Sequence, residues 1–417
     1  MPERKFLLFK TCVWLCRIVV GLTFVVSGWA KSVDPWGFIY KIEDYLAVWS
    51  IDAAREITLT GAVSLSIAEF ITGMLVLTGS WRRLSVMVAA GFMAVMLPLT
   101  AYIAITDPVP DCGCFGDFIV LSNTATFLKN VVLSALIVYL LKYNDRVKGL
   151  YRHSLQWQTV AVSLTFIATV CFIGYKYQPI VDFRPFKTGT VFPPAADESN
   201  LDVNFVYAKD GVEREFGIDN LPDSTWTFVR RVGIDDLNDE NAFVVFDGYD
   251  DVTDELTSDG PLLLLIVNEP GAGYLYRSRL AMQFADFIGQ ESGRMIAILA
   301  ADAEGVEKWR NLAAIDADVF TADDTTLKML ARGDTALVYI VDGRIVWKRN
   351  IASFSPGLFD DAAGDVNLDE MTVVDDGGVN LRLSLLWIIA MLLIYLFSFS
   401  KKTKAASAPR ATEVKQQ

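Results

Sequence analysis

The sequence predicts an α-helical membrane protein that carries one soluble α/β domain. Three observations predict this class: several apolar runs of bilayer length, basic residues at every second connection between those runs, and one long acidic segment before the last run. Of the 417 residues, 53% are hydrophobic, which is enough for several spans and a separate globular core. We therefore expect more than one domain.

Six apolar runs are long enough to cross about 30 Å of hydrocarbon. They cover residues 13–30, 57–78, 85–105, 124–141, 157–175 and 383–399. The first run contains an internal arginine and continues directly into a tryptophan-rich stretch, which favours a retained anchor over a cleaved signal peptide. The sequence therefore predicts six spans within a lipid bilayer.

Four clusters of Lys and Arg set the predicted orientation. The clusters are Arg4/Lys5/Lys10, Arg82/Arg83, Lys142/Arg146/Lys148/Arg152 and Lys401/Lys402/Lys404. All four fall on one side if every run crosses the membrane, and short cytoplasmic connections are enriched in basic residues. We expect a multi-pass protein of a bacterial inner membrane with both termini cytoplasmic. Residues 179–382 and the loops 31–56 and 106–123 then face the periplasm.

Charge and residue composition exclude several function classes. Residues 179–380 contain 16 basic and 38 acidic residues, so nucleic acid and anionic lipid are poor partners for this segment. All five cysteines lie outside it, and His153 is the single histidine of the chain. A haem, zinc or copper enzyme is therefore not expected, and no metal site is predicted.

The acidic segment has two parts. Residues 179–260 begin with a segment that contains four prolines, at positions 179, 185, 193 and 194, which predicts an extended linker. Short strand patterns follow at 204–207 and 242–246 and predict a small β-rich region. Residues 261–380 alternate strands and helices as a thioredoxin-like α/β sandwich does. The predicted elements are strand 262–267, helix 274–288, strand 295–300, helix 304–312 and a hairpin of strands 336–341 and 345–349.

A catalytic thioredoxin would carry Cys-x-x-Cys after its first core strand and a proline before its late hairpin. Residues 268–273 contain no cysteine, and residues 333–335 contain no proline. We therefore interpret this domain as a non-catalytic binding module. Its expected partner is an exported or periplasmic protein.

The strongest chemical signal is the pair Cys112 and Cys114 in the loop between the third and fourth spans. Two thiols one residue apart close into a small, strained and easily reduced disulfide ring. Lys129 is placed to stabilise a thiolate, whereas Asp111 and Asp117 would oppose one. Three interpretations stay open: a redox-active pair, a structural disulfide, and a soft-metal thiolate pair.

Two ionisable residues fall inside predicted spans, Arg17 in the first and Glu69 in the second. Their depths differ by a distance that an arginine side chain can bridge, which predicts an interhelical ion pair. Structural stabilisation and a role in proton or quinone handling are both compatible with it. Cys12, Cys16 and Cys171 are interpreted as structural.

These motifs resemble those of the MauE/DoxX family of redox-associated membrane proteins. The resemblance depends on Ser-Gly-x-x-Lys-x-x-Asp-Pro from Ser27 to Pro35, on Glu69, and on Cys-Gly-Cys-Phe-Gly from Cys112 to Gly116. The whole chain resembles the Bacteroidetes-type subgroup in which a four-helix unit is fused to a thioredoxin-like periplasmic domain. The family-motif residues are Gly28, Lys31, Asp34, Pro35, Gly113, Phe115 and Gly116.

The resemblance implies a fold and a function. It implies a four-helix DoxX/MauE-like bundle with two further spans and an inserted thioredoxin-like domain. The expected membrane segments are 1–150 for the bundle, 151–178 for the fifth helix and 381–400 for the last helix. Between them lie a linker with a small β-rich acidic region at 179–260 and the thioredoxin-like domain at 261–380. Residues 401–417 are expected to form a basic cytoplasmic tail. The implied role is thiol–disulfide exchange or electron transfer for exported proteins, with quinone as the candidate cofactor.

Two other functions are compatible with the sequence. The first is a non-enzymatic envelope scaffold in which the loop disulfide is structural and the thioredoxin-like domain binds a partner. The second is a transporter, which the intramembrane charges allow. The sequence has no internal repeat and no pair of Gly/Pro-interrupted spans of the kind that transporters use, so this option is the weakest.

Overall fold

The fold is that of a computed structural model. It describes residues 3–51, 53–109, 111–191, 204–209, 212–217, 226–232, 243–257, 260–269, 274–313, 315, 317–355, 357–359, 367–371 and 378–406. The chain divides into two compact units. The membrane unit comprises Met1–Phe183 and Val373–Gln417, and the soluble unit comprises Arg184–Thr372.

The described part of the membrane unit is helical. Its α-helices are α1 (Glu3–Val33), α2 (Pro35–Val48), α3 (Arg55–Thr78), α4 (Arg82–Thr106), α5 (Asn123–Tyr143), α6 (Gln156–Lys176) and α10 (Gly378–Ala406). All of these except α2 are long and apolar enough to cross a membrane, which gives six candidate spans among the described residues. Large apolar side chains such as Leu22, Val95 and Leu393 stay exposed on them, as contact with lipid requires. The protein is a multi-pass membrane protein, as the sequence predicted.

Consecutive spans run in opposite directions, so the membrane unit has two distinct ends. At the basic end, Arg17 near the middle of α1 contacts the connection after α5, and the backbone N–H of Arg152 donates to Ser398 near the end of α10. At the thiol end, the loop between α4 and α5 holds Cys112 and Cys114. The predicted basic clusters therefore share one end, and the cysteine pair lies at the other.

Close packing of α1 against α3 brings these two helix backbones together. A Cβ atom on Gly28 would lie 2.5 Å from the backbone nitrogen of Phe70, and one on Gly73 would lie 2.6 Å from that of Val25. Larger residues would therefore force the helices apart. Small residues at helix interfaces permit this approach in membranes, where dispersion and hydrogen bonding drive association.

Helix α2 lies between the first two spans and was not predicted from the sequence. The side chain of Asp34 caps it by accepting a hydrogen bond from the Gly37 N–H at 2.9 Å, and Pro35 occupies its first turn. Trp36 and Ile39 bury its inner face. Part of the predicted loop 31–56 is therefore a helix that covers the thiol end.

The soluble unit contains two described sheets. A three-stranded antiparallel sheet has the order β2-β1-β3, with β1 (Asn204–Lys209), β2 (Val212–Gly217) and β3 (Thr227–Val232). The second sheet has seven strands in the order β10-β9-β6-β7-β8-β4-β5. Its strands are β4 (Val245–Asp247), β5 (Asp250–Asp251), β6 (Pro261–Val267), β7 (Arg294–Leu299), β8 (Asp318–Ala322), β9 (Thr335–Val341) and β10 (Arg344–Asn350).

Both faces of the seven-stranded sheet are covered. Strands β6, β7 and β8 are parallel, and β9 pairs antiparallel to β6. Residues of β6 alternate between two cores, with Leu263 and Leu265 on one face and Leu264 and Ile266 on the other. Helix α7 (Tyr274–Gln290) contributes Phe284 to the first core. The described helices α8 (Ala303–Ala313) and α9 (Asp324–Leu330) pack against the two faces.

The soluble unit is a mixed-sheet region separate from the membrane helices, which agrees with the predicted α/β class. The predicted order of strands and helices from residue 262 onward is present. The structure adds β8 and α9, and it extends the sheet with β4 and β5, which lie in the segment interpreted as a separate β-rich region. Short strands of this kind are specified by their pairing partner more than by their own two or three residues.

Candidate functional site: a buried cysteine pair

The loop between α4 and α5 is closed by specific hydrogen bonds. Helix α4 ends at Thr106, and the next residue, Asp107, turns the chain with a φ of 46°. The Asn123 side chain donates to Asp107 Oδ1 at 2.6 Å and to the Val109 carbonyl at 2.8 Å. Gly113 and Gly116 have positive φ angles of 65° and 54°, which favour glycine. These contacts fold the loop into a compact turn.

The two thiols of this turn lie side by side and are nearly excluded from solvent. Cys112 and Cys114 are free, their sulfur atoms lie 3.0 Å apart, and the residues are 7% and 9% exposed. They pack with Ile103, Val109 and Phe115 in one apolar cluster. No group of three His, Cys, Asp or Glu side chains that could hold a metal occurs in the part of the chain that the structure describes.

Three side chains from other elements hold the turn in place. The hydroxyl of Tyr45 donates to the Cys112 carbonyl at 2.9 Å, and the hydroxyl of Ser27 donates to the Cys114 carbonyl. Lys41 Nζ forms an ion pair with Asp111 at 2.7 Å. Sequence reasoning missed Tyr45 and Lys41. Their spacing of one helical turn would have placed both on one face, had α2 been recognised as a helix.

The pair is electrostatically asymmetric. The hydrogen bond from the Cys112 thiol lowers the pKa of Cys114 below its ordinary value, and the ammonium groups of Lys129 and Lys31 act in the same direction against the effect of burial. The same hydrogen bond, followed by burial, raises the pKa of Cys112 above its ordinary value. One sulfur therefore favours the thiolate and its neighbour retains the proton.

Lys129 lies in the second turn of α5, next to the cysteine turn. Its Nζ atom is 4.4 Å from the centre of the Phe115 ring, a cation–π contact, and it acts on Cys114 through space. Asp111, expected to oppose a thiolate, is neutralised by its ion pair with Lys41 and accepts a hydrogen bond from the Gly113 N–H at 2.7 Å. Asp117 lies in a short 3-10 turn, Gly116–Phe118, that follows the pair.

The predicted ion pair between Arg17 and Glu69 is wrong. Glu69 Oε2 instead lies 2.7 Å from Lys31 Nζ, and the two side chains are 5% and 13% exposed. Lys31 also lies over the Phe38 ring at 4.9 Å. Arg17 and Lys31 are both in α1 but about 21 Å apart along the helix axis, so Glu69 reaches only the lysine.

Arg17 is fully buried and satisfied by oxygens of the α5–α6 connection. Its guanidinium donates to Asn144 Oδ1 at 2.7 Å and to the Asn144, Val147 and Lys148 carbonyls at 3.0, 2.7 and 3.3 Å. A planar five-donor group suits such a cluster of acceptors, which lie just past the carboxyl end of α5. Arg17 thus fixes the basic end and is remote from the cysteines.

In the soluble unit, the position expected for Cys-x-x-Cys begins with a hydrogen-bonded asparagine. Asn268 donates from its side chain to the Ala331 and Gly333 carbonyls at 2.9 and 2.7 Å. Arg277 forms an ion pair with Asp334 at 3.0 Å, in the segment where a proline was expected. Residues 270–273 lie outside the described residues. The described groups here bind structural partners.

Two segments of the chain match known protein families. Residues 9–143, about a third of the chain, match the family described as "Methylamine utilisation protein MauE". Residues 201–234, which contain the three-stranded sheet, match a family described as "Domain of unknown function (DUF8463)". No curated protein and no solved structure matches the chain. The chain is thus a multi-pass membrane protein, and its residues 9–143, which contain both cysteines of the candidate site, are similar to the MauE family.

Proposed function

We propose that the protein is a membrane thiol–disulfide redox protein in which Cys112 and Cys114 alternate between a dithiol and a disulfide. The observation that carries this proposal is the pair of free sulfurs 3.0 Å apart, with Lys31 and Lys129 acting on Cys114. A disulfide bond measures about 2.05 Å, so bond formation requires a movement of about 1 Å. The match of residues 9–143 to the MauE family supports a membrane redox-associated role.

The chemistry is an exchange with a disulfide of a partner protein. The Cys114 thiolate attacks one partner sulfur, a mixed disulfide forms, and the displaced partner thiolate takes up a proton. Cys112 then loses its proton and attacks the Cys114 sulfur, which forms the internal disulfide and releases the second partner thiolate. Two electrons pass to the partner, whose two thiolates take up the Cys112 proton and one proton from solvent, and the reverse sequence oxidises a partner dithiol.

The soluble unit is the proposed recruiting module for an exported partner. The described order of strands and helices from residue 262 onward supports a thioredoxin-like assignment, and residues 268–273, where such a core would carry Cys-x-x-Cys, contain no cysteine. The soluble unit would bind the partner without thiol chemistry of its own, so the exchange takes place at Cys112 and Cys114. On this proposal the soluble unit faces the periplasm, as the distribution of basic residues indicates. A quinone acceptor stays a prediction.

Trapping of the mixed disulfide tests this function. In Cys112→Ser, the resolving thiol is lost, so we expect a disulfide-linked adduct between Cys114 and an exported protein on non-reducing gels of isolated membranes. The double variant Cys112→Ser/Cys114→Ser is the matched control, because it keeps the other three cysteines and has no attacking thiol. Equal adducts in the two variants, or none in either, would contradict exchange at this pair.

The low exposure of both cysteines favours a second candidate function, an envelope scaffold with a structural cysteine turn. The hydrogen-bonded state of Asn268 fits a binding-only soluble unit in the same way. The scaffold predicts that the double serine variant retains cellular function at normal expression, whereas deletion of residues 184–372 abolishes it. The redox proposal predicts that both changes abolish function.

A further inference from the structure

The basic end of the membrane unit contains an open cavity that the redox chemistry does not use. It has a volume of about 630 Å³ and lies between the α3–α4 turn, the α5–α6 connection and the start of α6. Four cations line it, against a single acid, Asp145. The cations are Arg82, Arg83, Lys148 and Arg152.

The side chains that line the cavity keep a net positive charge after the ion pair among them is counted. Asp145 forms an ion pair with Arg83, and its carbonyl accepts a hydrogen bond from Arg82 at 2.5 Å. Lys148 and Arg152 are exposed, and among the described residues neither side chain forms an ion pair. Two cations are therefore available to a ligand.

The amino end of α4 adds to this positive potential. Its first residue, Arg82, belongs to the lining, and its N-cap residue Trp81 makes no side-chain capping hydrogen bond. The amino end of a helix carries partial positive charge and unpaired N–H groups, which favour a bound anion. This helix end therefore acts together with the four cations.

The cavity continues onto an apolar surface. A second cavity shares Trp81 and Arg83 with it and reaches Leu84. Leu84 and Met87 in the first two turns of α4 and Trp157 in the first turn of α6 are 53%, 61% and 60% exposed. A free phosphate would use only the polar part, whereas a lipid would place its headgroup in the cavity and its acyl chains along these side chains.

We propose that this cavity binds the phosphate-bearing headgroup of an anionic phospholipid. The cations and the amino end of α4 contact the phosphate, and the exposed apolar side chains of α4 and α6 contact the acyl chains. This site lies at the opposite end of the membrane unit from Cys112 and Cys114. The lipid site does not depend on the proposed redox function, and the two proposals are tested by different experiments.

Native mass spectrometry of the full-length protein in detergent tests the proposal. The probes are phosphatidylglycerol, phosphatidylcholine with the same acyl chains, and inorganic phosphate. We expect preferential binding of phosphatidylglycerol, weakened about 30-fold in Lys148→Gln/Arg152→Gln, since each nearby basic residue contributes roughly fivefold. The control is Lys5→Gln/Lys10→Gln, which removes the same charge from exposed positions of α1 outside the cavity lining and should bind as the wild type does.

Three results would overturn the proposal. Equal losses in the two double variants would indicate diffuse electrostatic attraction, and equal affinity for the two lipids would exclude charge recognition. Displacement of the lipid by an equimolar amount of inorganic phosphate would indicate a soluble-anion site. The single variant Arg152→Gln, which should lose about fivefold, provides the same comparison if the double variant proves unstable.

Discussion

Arg17 and Lys31 are two buried cations of the same helix, at opposite ends of the membrane unit, and they are stabilised in different ways. Arg17 binds the oxygens of one connection and none of its partners is charged. Lys31 binds the carboxylate of Glu69 and acts on the cysteine pair. Burial alone therefore does not mark a functional cation in a membrane. The groups that a buried cation contacts determine whether it only stabilises the structure or also changes the reactivity of a nearby group.

This comparison predicts different consequences for loss of each cation. Loss of Arg17 leaves several buried acceptors without a donor, which is a purely structural defect. Loss of Lys31 leaves one carboxylate unpaired and also withdraws positive charge from the thiols. The experiments below separate these two effects.

The largest expected effect is that of Arg17→Met. The variant removes four hydrogen bonds from buried oxygens, and we expect a loss of about 3 kcal/mol or more in the free energy of unfolding. Thermal unfolding of the protein in detergent would measure this as a marked fall in Tm and in yield. The control Arg4→Met removes an exposed arginine from the same helix, and Tm values that match between the two variants would refute the structural role.

Lys31→Met should impair the chemistry of the cysteine pair as well as stability. Withdrawal of the ammonium group raises the pKa of Cys114, so we expect alkylation of the pair at pH 7 to slow severalfold. Lys31→Arg retains the charge and serves as the matched control. The double variant Lys31→Met/Glu69→Gln should recover stability but only part of the alkylation rate, because loss of the Glu69 charge also lowers the pKa of Cys114. Full recovery of both would mean that Lys31 acts only through folding.

The pH dependence of alkylation tests the asymmetry within the pair. The Cys112 thiol donates to Cys114 and lowers its pKa, so the wild-type rate should reach half its maximum below the ordinary thiol value of about 8.5. Cys112→Ala removes the donor, which should move that midpoint to higher pH and reduce the rate at neutral pH. Cys12→Ser is the control, and a Cys112→Ala profile identical to that of this control would contradict the hydrogen bond.

The smallest effect is expected for Tyr45→Phe. The variant loses one hydrogen bond to the Cys112 carbonyl and keeps the ring in place, which should cost about 1 kcal/mol of stability. Thermal unfolding against Tyr102→Phe, a change at an exposed tyrosine of α4, would measure the difference. Equal Tm values for these variants would show that α2 does not hold the turn through this hydroxyl.

Much of the fold could be predicted from the sequence because hydrophobic length and periodicity are local signals. The six spans, strand β6 and the β9–β10 hairpin all follow from runs of apolar residues and from turn residues. Helix α2 was missed because 14 residues interrupted by polar side chains resemble an interfacial loop. Its inner face packs with Ala62 and Tyr175, which belong to distant helices. This packing depends on the tertiary structure and is not visible in the local sequence pattern.

The candidate site was less predictable than the fold. Cys112, Cys114 and Lys129 were identified by spacing, but the partner of Glu69 was not. The depth of Glu69 along its helix does not reveal which side chain of a neighbouring helix faces it. The partners of Arg17 are mainly backbone carbonyls, which have no sequence signature. The thioredoxin-like fusion and the DoxX part of the resemblance stay predictions.

The midpoint potential of the Cys112/Cys114 pair tests the central claim most directly. It can be measured in isolated membranes by thiol trapping against graded glutathione and dithiothreitol buffers, with Cys112→Ser/Cys114→Ser as the blank. Structural disulfides of exported proteins lie below about −300 mV, whereas catalytic pairs lie well above that value. We predict reversible titration well above it. A pair that stays oxidised in strongly reducing buffer, or one that never forms a disulfide, would contradict the redox function.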